Sequence, residues 1–391
     1  MIKFPYSKPE ITNTDKSAVL EVLKNGYLTQ GEKLQEFEVQ LQKTFNSNNV
    51  IACNSGTAAL HLIYSTLGLG PEAGLLTSPI TFLATASAAR MCNAPVIFAD
   101  VDPKSGLLTP NNIEKALVKS KYKIKVITVV HLGGIVCDME GIAEVARKYG
   151  CLVVEDACHA PGGNYYKSDG KKSVIGSCEY SIAATFSFHA IKHIAMGEGG
   201  CVSTNDARIA NKIKEKRSHG MIRDQDRFSF KLKDNKPWYY EMKELGWNYR
   251  VDELSCALGL SQLSRLYSGI EKRKKLAKFY YNELCDVKQL LLPAEPTMIN
   301  QSVWHLYSVL INFNEVGISR GTFMMKLANF GIGSQVHYIP LFYQPYFKDN
   351  PKKFIGAVSY YNSTLSLPIY VGLNGKDIRY ISTSIKSIIN E

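Results

Sequence analysis

The 391-residue chain predicts an α/β fold, a mostly parallel mixed sheet covered by helices, followed by a smaller C-terminal α+β domain. Two observations carry this expectation. Between Val50 and Thr204 short apolar runs alternate with helix-like segments, the pattern of a sheet covered on both faces. After about Gly220 that alternation stops, and long helical periodicity returns from Val251.

The elements follow in order. Thr14 can cap a helix running through Asn25, with Gly26 ending it, and Glu32 to Phe45 can form a second. Asn49–Cys53 reads as a strand, Gly56–Leu67 as a helix, Leu75–Ser78 as a strand and Phe82–Cys92 as a helix. Pro95–Ala99, Ile124–Val130 and Leu152–Glu155 are further strands, separated by helices at Pro110–Lys119 and Met139–Tyr149, the latter stopped by Gly150. Met221–Tyr240 is polar, turn-rich and without period, so it reads as an exposed loop. From Val251 to Leu284 the residues Leu254, Leu258, Ser261 and Leu263 to Leu266 are spaced for one buried helix face. Beyond Pro293 we expect strands near His305–Asn312 and Ser334–Val336 and helices near Ser319–Phe330 and Gly375–Ile389. The division expected is a large domain at 1–250, whose segment 1–31 contributes to a substrate site, and a small domain at 251–391.

Composition narrows the function classes. Hydrophobic residues make up 45% and charged residues 21%, ordinary for a soluble globular protein. The net charge is +11, but the basic clusters at Lys119–Lys125, Lys212–Arg217 and Arg265–Lys278 alternate with apolar positions as solvated helix faces do, so no nucleic-acid partner is expected. No 18-residue apolar run occurs and the start lacks the apolar core of a signal peptide, so the expectation is a cytoplasmic protein with no membrane partner. The nine cysteines are odd in number, scattered and never spaced Cys-x-x-Cys, which suggests neither a disulfide framework nor a zinc site; no metal is expected.

The chemistry concentrates at strand ends, where ligands of such sheets bind. Asn54-Ser55-Gly56-Thr57 follows a strand and opens a helix, so the amides of Gly56 and Thr57 suit either a phosphate or a plain N-cap. Phe82 could stack on a flat ring or be an ordinary core aromatic. Asp156 ends a buried strand, where its carboxylate needs a partner or caps the next turn, and His159 either bridges Asp156 or a ligand or is a satisfied core histidine. Ser187 could add a hydroxyl to the phosphate. Lys192 lies in a turn closed by Gly197-Glu198-Gly199-Gly200, where lysines are usually solvated. Their order is more telling than any one of them. Anion turn, aromatic, acid, serine, lysine and Gly-rich exit are what pyridoxal phosphate (PLP) chemistry requires: a lysine for the Schiff base and an acid to keep the pyridine nitrogen protonated.

This arrangement resembles the fold type I PLP enzymes and, within them, the DegT/StrS-type sugar-nucleotide aminotransferases, over nearly the whole chain. The markers are Leu28-Thr29-Gln30-Gly31, Asn54 to Leu60, Thr81 to Ala86, Glu155 to Ala160, Phe186 to Lys192 with Glu198-Gly199-Gly200, Arg217-Ser218-His219-Gly220, Gly246 to Arg250 and Val336 to Pro340. The resemblance implies that Lys192 carries the Schiff base and the proton, Asp156 pairs with the pyridine nitrogen, Phe82 stacks on the ring, His159 supports the phenolic side, and Gly56, Thr57 and Ser187 hold the phosphate. It also implies that Asn248 is given to the phosphate by a neighbouring subunit, making the active unit a homodimer with shared sites.

The implied reaction takes the amino group of L-glutamate and places it on a keto-sugar attached to a nucleotide. Phe4-x-Tyr6-Ser7, Ala257 to Leu263 and Gln335 to Tyr338 resemble the pseudaminic acid branch of the family, whose substrate is a UDP-linked 4-keto sugar. Tyr6, Thr29, His337 and Tyr338 are then candidate substrate contacts. The departures are His193, where that branch usually has proline, and Ala195-Met196, where polar residues are common. Other 4-keto sugars of perosamine or aminoarabinose type, and a PLP-binding regulatory protein, remain as alternatives. Dehydratases of the same fold replace the lysine with histidine, and here Lys192 is present.

Overall fold

A computed structural model describes residues 2–166, 170–230, 236–294 and 302–391. Two helices precede the sheet. α1 (Asn13–Asn25) starts from Thr12, whose hydroxyl accepts the Asp15 N–H while the Asp15 carboxylate accepts the Thr12 N–H at 2.7 Å. The expected cap at Thr14 is therefore displaced by two positions, because Asp15 closes a capping box only with the residue three before it. Gly26 ends the helix in the left-handed region, φ 90°. α2 (Glu32–Phe45) has the expected bounds and buries Leu34, Phe37, Leu41 and Phe45, one stripe of the helix.

Then come β1 (Asn49–Cys53), α3 (Gly56–Thr66), β2 (Gly74–Thr77), α4 (Leu83–Met91), β3 (Val96–Phe98), α5 (Pro110–Lys119), β4 (Ile124–Val130), α6 (Met139–Lys148) and β5 (Leu152–Asp156), close to the expected positions. An unexpected small hairpin, β6 (Asn164–Tyr166) with β7 (Lys172–Val174), separates them from β8 (Ala183–Ser187) and β9 (Gly200–Thr204). The large sheet has the order β1-β9-β8-β5-β4-β2-β3, and only the pairings of β9 are antiparallel. The carboxyl ends of β1, β5 and β8 thus share one edge. Gly200, at the start of β9, sits in register between Cys53 and Ser187.

After α7 (Ala207–Arg217) the expected loop contains a two-stranded ribbon, β10 (Met221–Ile222) with β11 (Glu241–Met242). The helical stretch beyond Val251 is two helices, α8 (Glu253–Leu263) and α9 (Leu266–Leu284). The break falls at Arg265, which leaves helical geometry at φ −108°, ψ 6° while its guanidinium pairs with Asp15 of α1 at 2.9 Å.

The C-terminal part holds an antiparallel sheet of β12 (Leu290–Leu291), β13 (Tyr307–Ile311) and β14 (Thr364–Leu367), with α10 (Phe313–Val316), α11 (Arg320–Asn329), α12 (Ile355–Ser363) and α13 (Gly375–Asn390). The strand expected at Ser334–Val336 is reduced to a single bridge between Gln335 and Ser366. The reason is local: the Val336 N–H donates to the Gln335 side chain, so it makes no ladder bond.

Apolar burial separates the cores. Phe45 stacks on Phe186 at 4.0 Å in the first, and Tyr280 on Tyr307 at 4.6 Å in the C-terminal one. α9 runs between them, Leu266 and Ile270 packing in one and Leu276 to Leu284 in the other. The N-terminal segment links the C-terminal core to the lysine turn. Phe4 is buried in that core, the Ile369 N–H donates to the Tyr6 carbonyl at 3.1 Å, and Ser7 Oγ donates to the Ile191 carbonyl at 3.3 Å.

Candidate active site

A cavity of about 640 Å³ opens at the shared carboxyl edge of the strands. Its wall brings together Gly56, Thr57, Phe82, Asp156, His159, Ser187 and Lys192 with Tyr6, His337 and Tyr338, residues that the sequence scatters over more than 330 positions. Thr29 and Asn248 are not part of that wall. Thr29 bridges Asp252, and Asn248 bridges Ser218. Arg223, Arg227 and Arg250 also lie outside it, and Arg227 is paired with Glu215.

The anion turn is built by close approach. Ser55 caps α3 by accepting the Ala58 N–H, and the Ala59 N–H bonds the Ser55 carbonyl, so the amides of Gly56 and Thr57 are those left for an external acceptor. A Cβ on Gly56 would meet the Ser187 Cβ at 2.9 Å, and one on Gly200 would meet the Ser55 carbonyl at 2.5 Å. Glycine at both positions lets the turn sit against Ser187, leaving amides and a hydroxyl around one spot at a helix N-terminus. That donor set suits a phosphate.

Asp156 is nearly buried at the end of β5. Its Oδ2 accepts from Thr85 Oγ1 at 2.7 Å and its Oδ1 from the Cys158 N–H at 3.3 Å. Because the Thr85 proton is committed to Asp156, the 2.8 Å contact between Thr81 and Thr85 hydroxyls has Thr81 as donor. Two hydroxyls in series thus hold the carboxylate, and each oxygen retains a lone pair for a further donor such as a pyridinium. Sequence reasoning missed Thr85. The signal was weak, since Thr81 lies before the cap at Phe82 and only the fold brings both hydroxyls to one carboxylate.

Lys192 follows β8 in the turn, where its N–H donates to the His189 carbonyl at 2.8 Å. Burial pulls its amine below the usual lysine value, and the Asp156 carboxylate opposes the shift. A half-buried amine of lowered basicity is what an imine nucleophile needs. Burial also pushes the Cys158 thiol well up, keeping it protonated.

Phe82 is 57% exposed, which removes the core-aromatic alternative and leaves its ring face open to the cavity. His159 does not bridge Asp156. Its Nδ1 accepts the Gly133 N–H at 3.2 Å and its Nε2 meets the Tyr338 hydroxyl at 3.2 Å. Burial, with Lys192 nearby, holds this imidazole well below its ordinary pKa, hence neutral. His193, the departure beside the lysine, packs behind the site. Its ring centre lies 5.6 Å from His305, which lies 4.3 Å from His159. Burial, with Arg273 close by, likewise holds His193 neutral, and its Nε2 is buried with no hydrogen-bond partner among the described residues.

The DegT/DnrJ/EryC1/StrS aminotransferase family matches residues 9–386. The chain belongs to this family. Members are PLP-dependent, and the glycine cradle, the buried acid and the half-buried lysine of this chain fit that cofactor. The protein is therefore a sugar aminotransferase of this family. It is 34% identical over 391 residues to the spore coat polysaccharide biosynthesis protein SpsC of Bacillus subtilis, covering 98% of this chain and 97% of that one. It is 35% identical over 393 residues to a UDP-4-amino-4,6-dideoxy-N-acetyl-beta-L-altrosamine transaminase of Campylobacter jejuni, covering 99% and 97%. Among solved structures, Helicobacter pylori PseC, an aminotransferase involved in the biosynthesis of pseudoaminic acid, superposes with a TM-score of 0.88 at 29% identity, covering 99% of each chain. Among the described residues, no helix is long and apolar enough to cross a membrane.

Proposed function

We propose that this aminotransferase moves the amino group of L-glutamate to C4 of a UDP-linked 4-keto-6-deoxy-N-acetylhexosamine, the pseudaminic acid precursor step, in the cytoplasm. The observation that carries the chemistry is the convergence of Asp156, Lys192 and the Gly56-Thr57-Ser187 cradle on one cavity. The likeness to the Campylobacter transaminase over nearly the full length of both chains supports the sugar.

Bound PLP supplies an electron sink conjugated to the transferred nitrogen. The chain does the rest. Gly56, Thr57 and Ser187 hold the phosphate, Phe82 covers the ring, and Asp156, oriented by Thr85, keeps the pyridine nitrogen charged. Lys192, lowered in basicity by burial, takes a proton from the donor carbon in the first half-reaction and returns one in the second. Tyr6 and His337 face the same cavity and are positioned to contact the sugar. His337 is held by a 2.8 Å bond to Ser366, and burial pushes its pKa down to about 3, so it meets substrate as a neutral imidazole.

The working unit in this reading is a homodimer in which Asn248 completes the partner's phosphate site and Thr29 reaches the partner's substrate. Two features support it: both residues lie outside their own cavity wall, and Tyr27 and Leu245, two and three positions from them in sequence, are strongly exposed apolar side chains. The large unit expected at 1–250 then carries the cofactor, with α8 and the start of α9 packed into its core, and the part beyond supplies His337 and Tyr338 to the same cavity. The likeness to SpsC, a spore coat polysaccharide biosynthesis protein, keeps a second reading beside it, amino transfer to another nucleotide-linked 4-keto sugar. Assays of amino transfer from glutamate to UDP-, GDP- and dTDP-linked 4-keto-6-deoxy sugars separate the two. Preference for a GDP- or dTDP-sugar would sink the first.

A further inference from the structure

A second hollow, a groove of about 1200 Å³, runs along β3, the end strand of the large sheet. It lies at the opposite end from β1, where the Asn54 N–H holds the Tyr249 carbonyl beside Asn248. Its cations come from three places: Arg90 at the end of α4, Lys115, Lys119 and Lys121 on and just after α5, and Lys348 and Lys352 in the segment 346–354. With Lys353 there are seven cations against two carboxylates, and both carboxylates are already engaged. Asp100 accepts the N–H groups of Gly356 and Ala357 at 2.9 and 2.8 Å, and Asp349 pairs with Lys353 at 2.7 Å. Glu114 of α5 turns to Lys148 instead. Among the described residues Lys115, Lys119, Lys348 and Lys352 have no ion pair, so one concave surface gathers positive charge and focuses its field.

The same groove holds an unpaired strand edge. The Leu75 N–H donates to the Pro95 carbonyl at 2.9 Å and the Ala99 N–H to the Thr77 carbonyl at 3.1 Å. Backbone groups alternate sides along a strand, so those of Val96 and Phe98 point away from β2, along the groove. Among the described residues no loop carbonyl or side chain takes the N–H of either. Such an edge pairs readily with another extended chain. We propose that the groove binds an acidic, extended segment of a partner protein, which adds to β3 as a strand while its carboxylates meet lysines of both walls.

Two observations favour a polypeptide over a nucleic acid. Only a polypeptide offers the alternating N–H and C=O groups that a strand edge needs. The cations are lysines except Arg90, whose Nη1 is held by the Ala94 carbonyl at 2.6 Å, so the guanidinium forks that phosphates select are missing. The position also relates to the chemistry. Arg90, Tyr346 and Phe347 line both the groove and a smaller hollow, which in turn shares Leu83 and Gln344 with the catalytic cavity. A partner seated along β3 therefore borders the mouth of the active site. The proposal is independent of which sugar the enzyme aminates.

The test is the fluorescence anisotropy of a labelled peptide of alternating glutamate and valine, titrated with the full-length PLP-loaded enzyme. Saturable binding that weakens with salt is expected. The triple variant Lys115→Glu, Lys119→Glu, Lys352→Glu should weaken it at least about tenfold, the scale of three surface ion pairs together. The same charge change on α9, Lys272→Glu, Lys275→Glu, Lys278→Glu, should leave it unaltered. Val96→Pro removes an outward N–H without touching the pairing with β2, and should weaken binding about fivefold, the scale of one backbone hydrogen bond. Should Val96→Pro not fold, N-methylation of alternate peptide residues removes the same bonds from the other side. No saturable binding at low salt overturns the proposal, as do equal losses in the two triple variants. Binding that ignores both Val96→Pro and N-methylation overturns the strand addition and with it the extended occupant. Displacement of the peptide by a single-stranded oligonucleotide more readily than by unlabelled peptide would make the groove a nucleic-acid site instead.

Discussion

Thr85 donates its hydroxyl to Asp156 across 2.7 Å, a bond between the first turn of α4 and the last residue of β5. It fixes the plane of a carboxylate that has little water around it. Thr85→Val removes the donor at nearly constant volume and frees that plane. We expect PLP affinity to fall about tenfold, the worth of one hydrogen bond to a charged group. Titration of the apoenzyme with PLP, followed by absorbance, measures it, and unaltered affinity would show that Thr85 serves only packing.

Lys192→Ala removes the amine that both holds the cofactor and carries the proton. The variant should lose the covalent PLP adduct seen by mass spectrometry after borohydride reduction, and turnover should drop by at least about a thousandfold. Residual transamination near the wild-type rate would take the role away from Lys192.

Gly200→Ala tests the cradle. The added Cβ would lie 2.5 Å from the Ser55 carbonyl, so the turn must move away from β9. A loss of about 1–3 kcal/mol in stability is expected, together with weaker PLP binding. Thermal melts with and without PLP report both, and a variant melting like wild type would show that the turn has slack.

Asp15 couples acid stability to the fold. Burial works to raise its pKa, but Arg265, Ser261 and Thr12 outweigh burial and lower it to about 2. The unfolded value is about 3.9. The folded value being lower, this stabilisation is fully present above about pH 4 and disappears as the pH falls towards 2. Urea midpoints of Asp15→Asn should therefore vary less with pH across that window than those of wild type. Parallel curves would remove Asp15 from the account.

Shared sites make a prediction about mixtures. Lys192→Ala and Asn248→Ala proteins should each be nearly inactive. Refolded together in equal amounts, half the dimers are mixed and each carries one intact site of two, so about a quarter of wild-type activity should return. Absence of any recovery would mean that Asn248 acts within its own chain.

Much of this protein could be read from the order of its residues. Strands such as Ile124–Val130 are short and mostly apolar, and helices such as Glu32–Phe45 carry an unbroken stripe, so local pattern and tertiary burial agree. Pattern failed where a side chain supplied an alternative partner. Asp15 chose Thr12 over Thr14 as cap, Arg265 interrupted a periodic helix to reach Asp15, and Gln335 took the N–H that a strand at 334–336 would have used.

The chemistry divides in the same way. Sequence alone determined that an acid, a lysine and a glycine turn stand at strand ends, because strands end where apolar runs end, and their order matches one cofactor. Only the tertiary structure decided what each polar group bonds. It joined Thr85 to Asp156, directed His159 to Gly133 and Tyr338 and away from Asp156, packed His193 against His305, and left Thr29 and Asn248 outside the cavity wall. The physical reason is range: hydrophobic period acts between neighbours along the chain, whereas a hydrogen bond is settled over about 3 Å between segments that folding alone brings together.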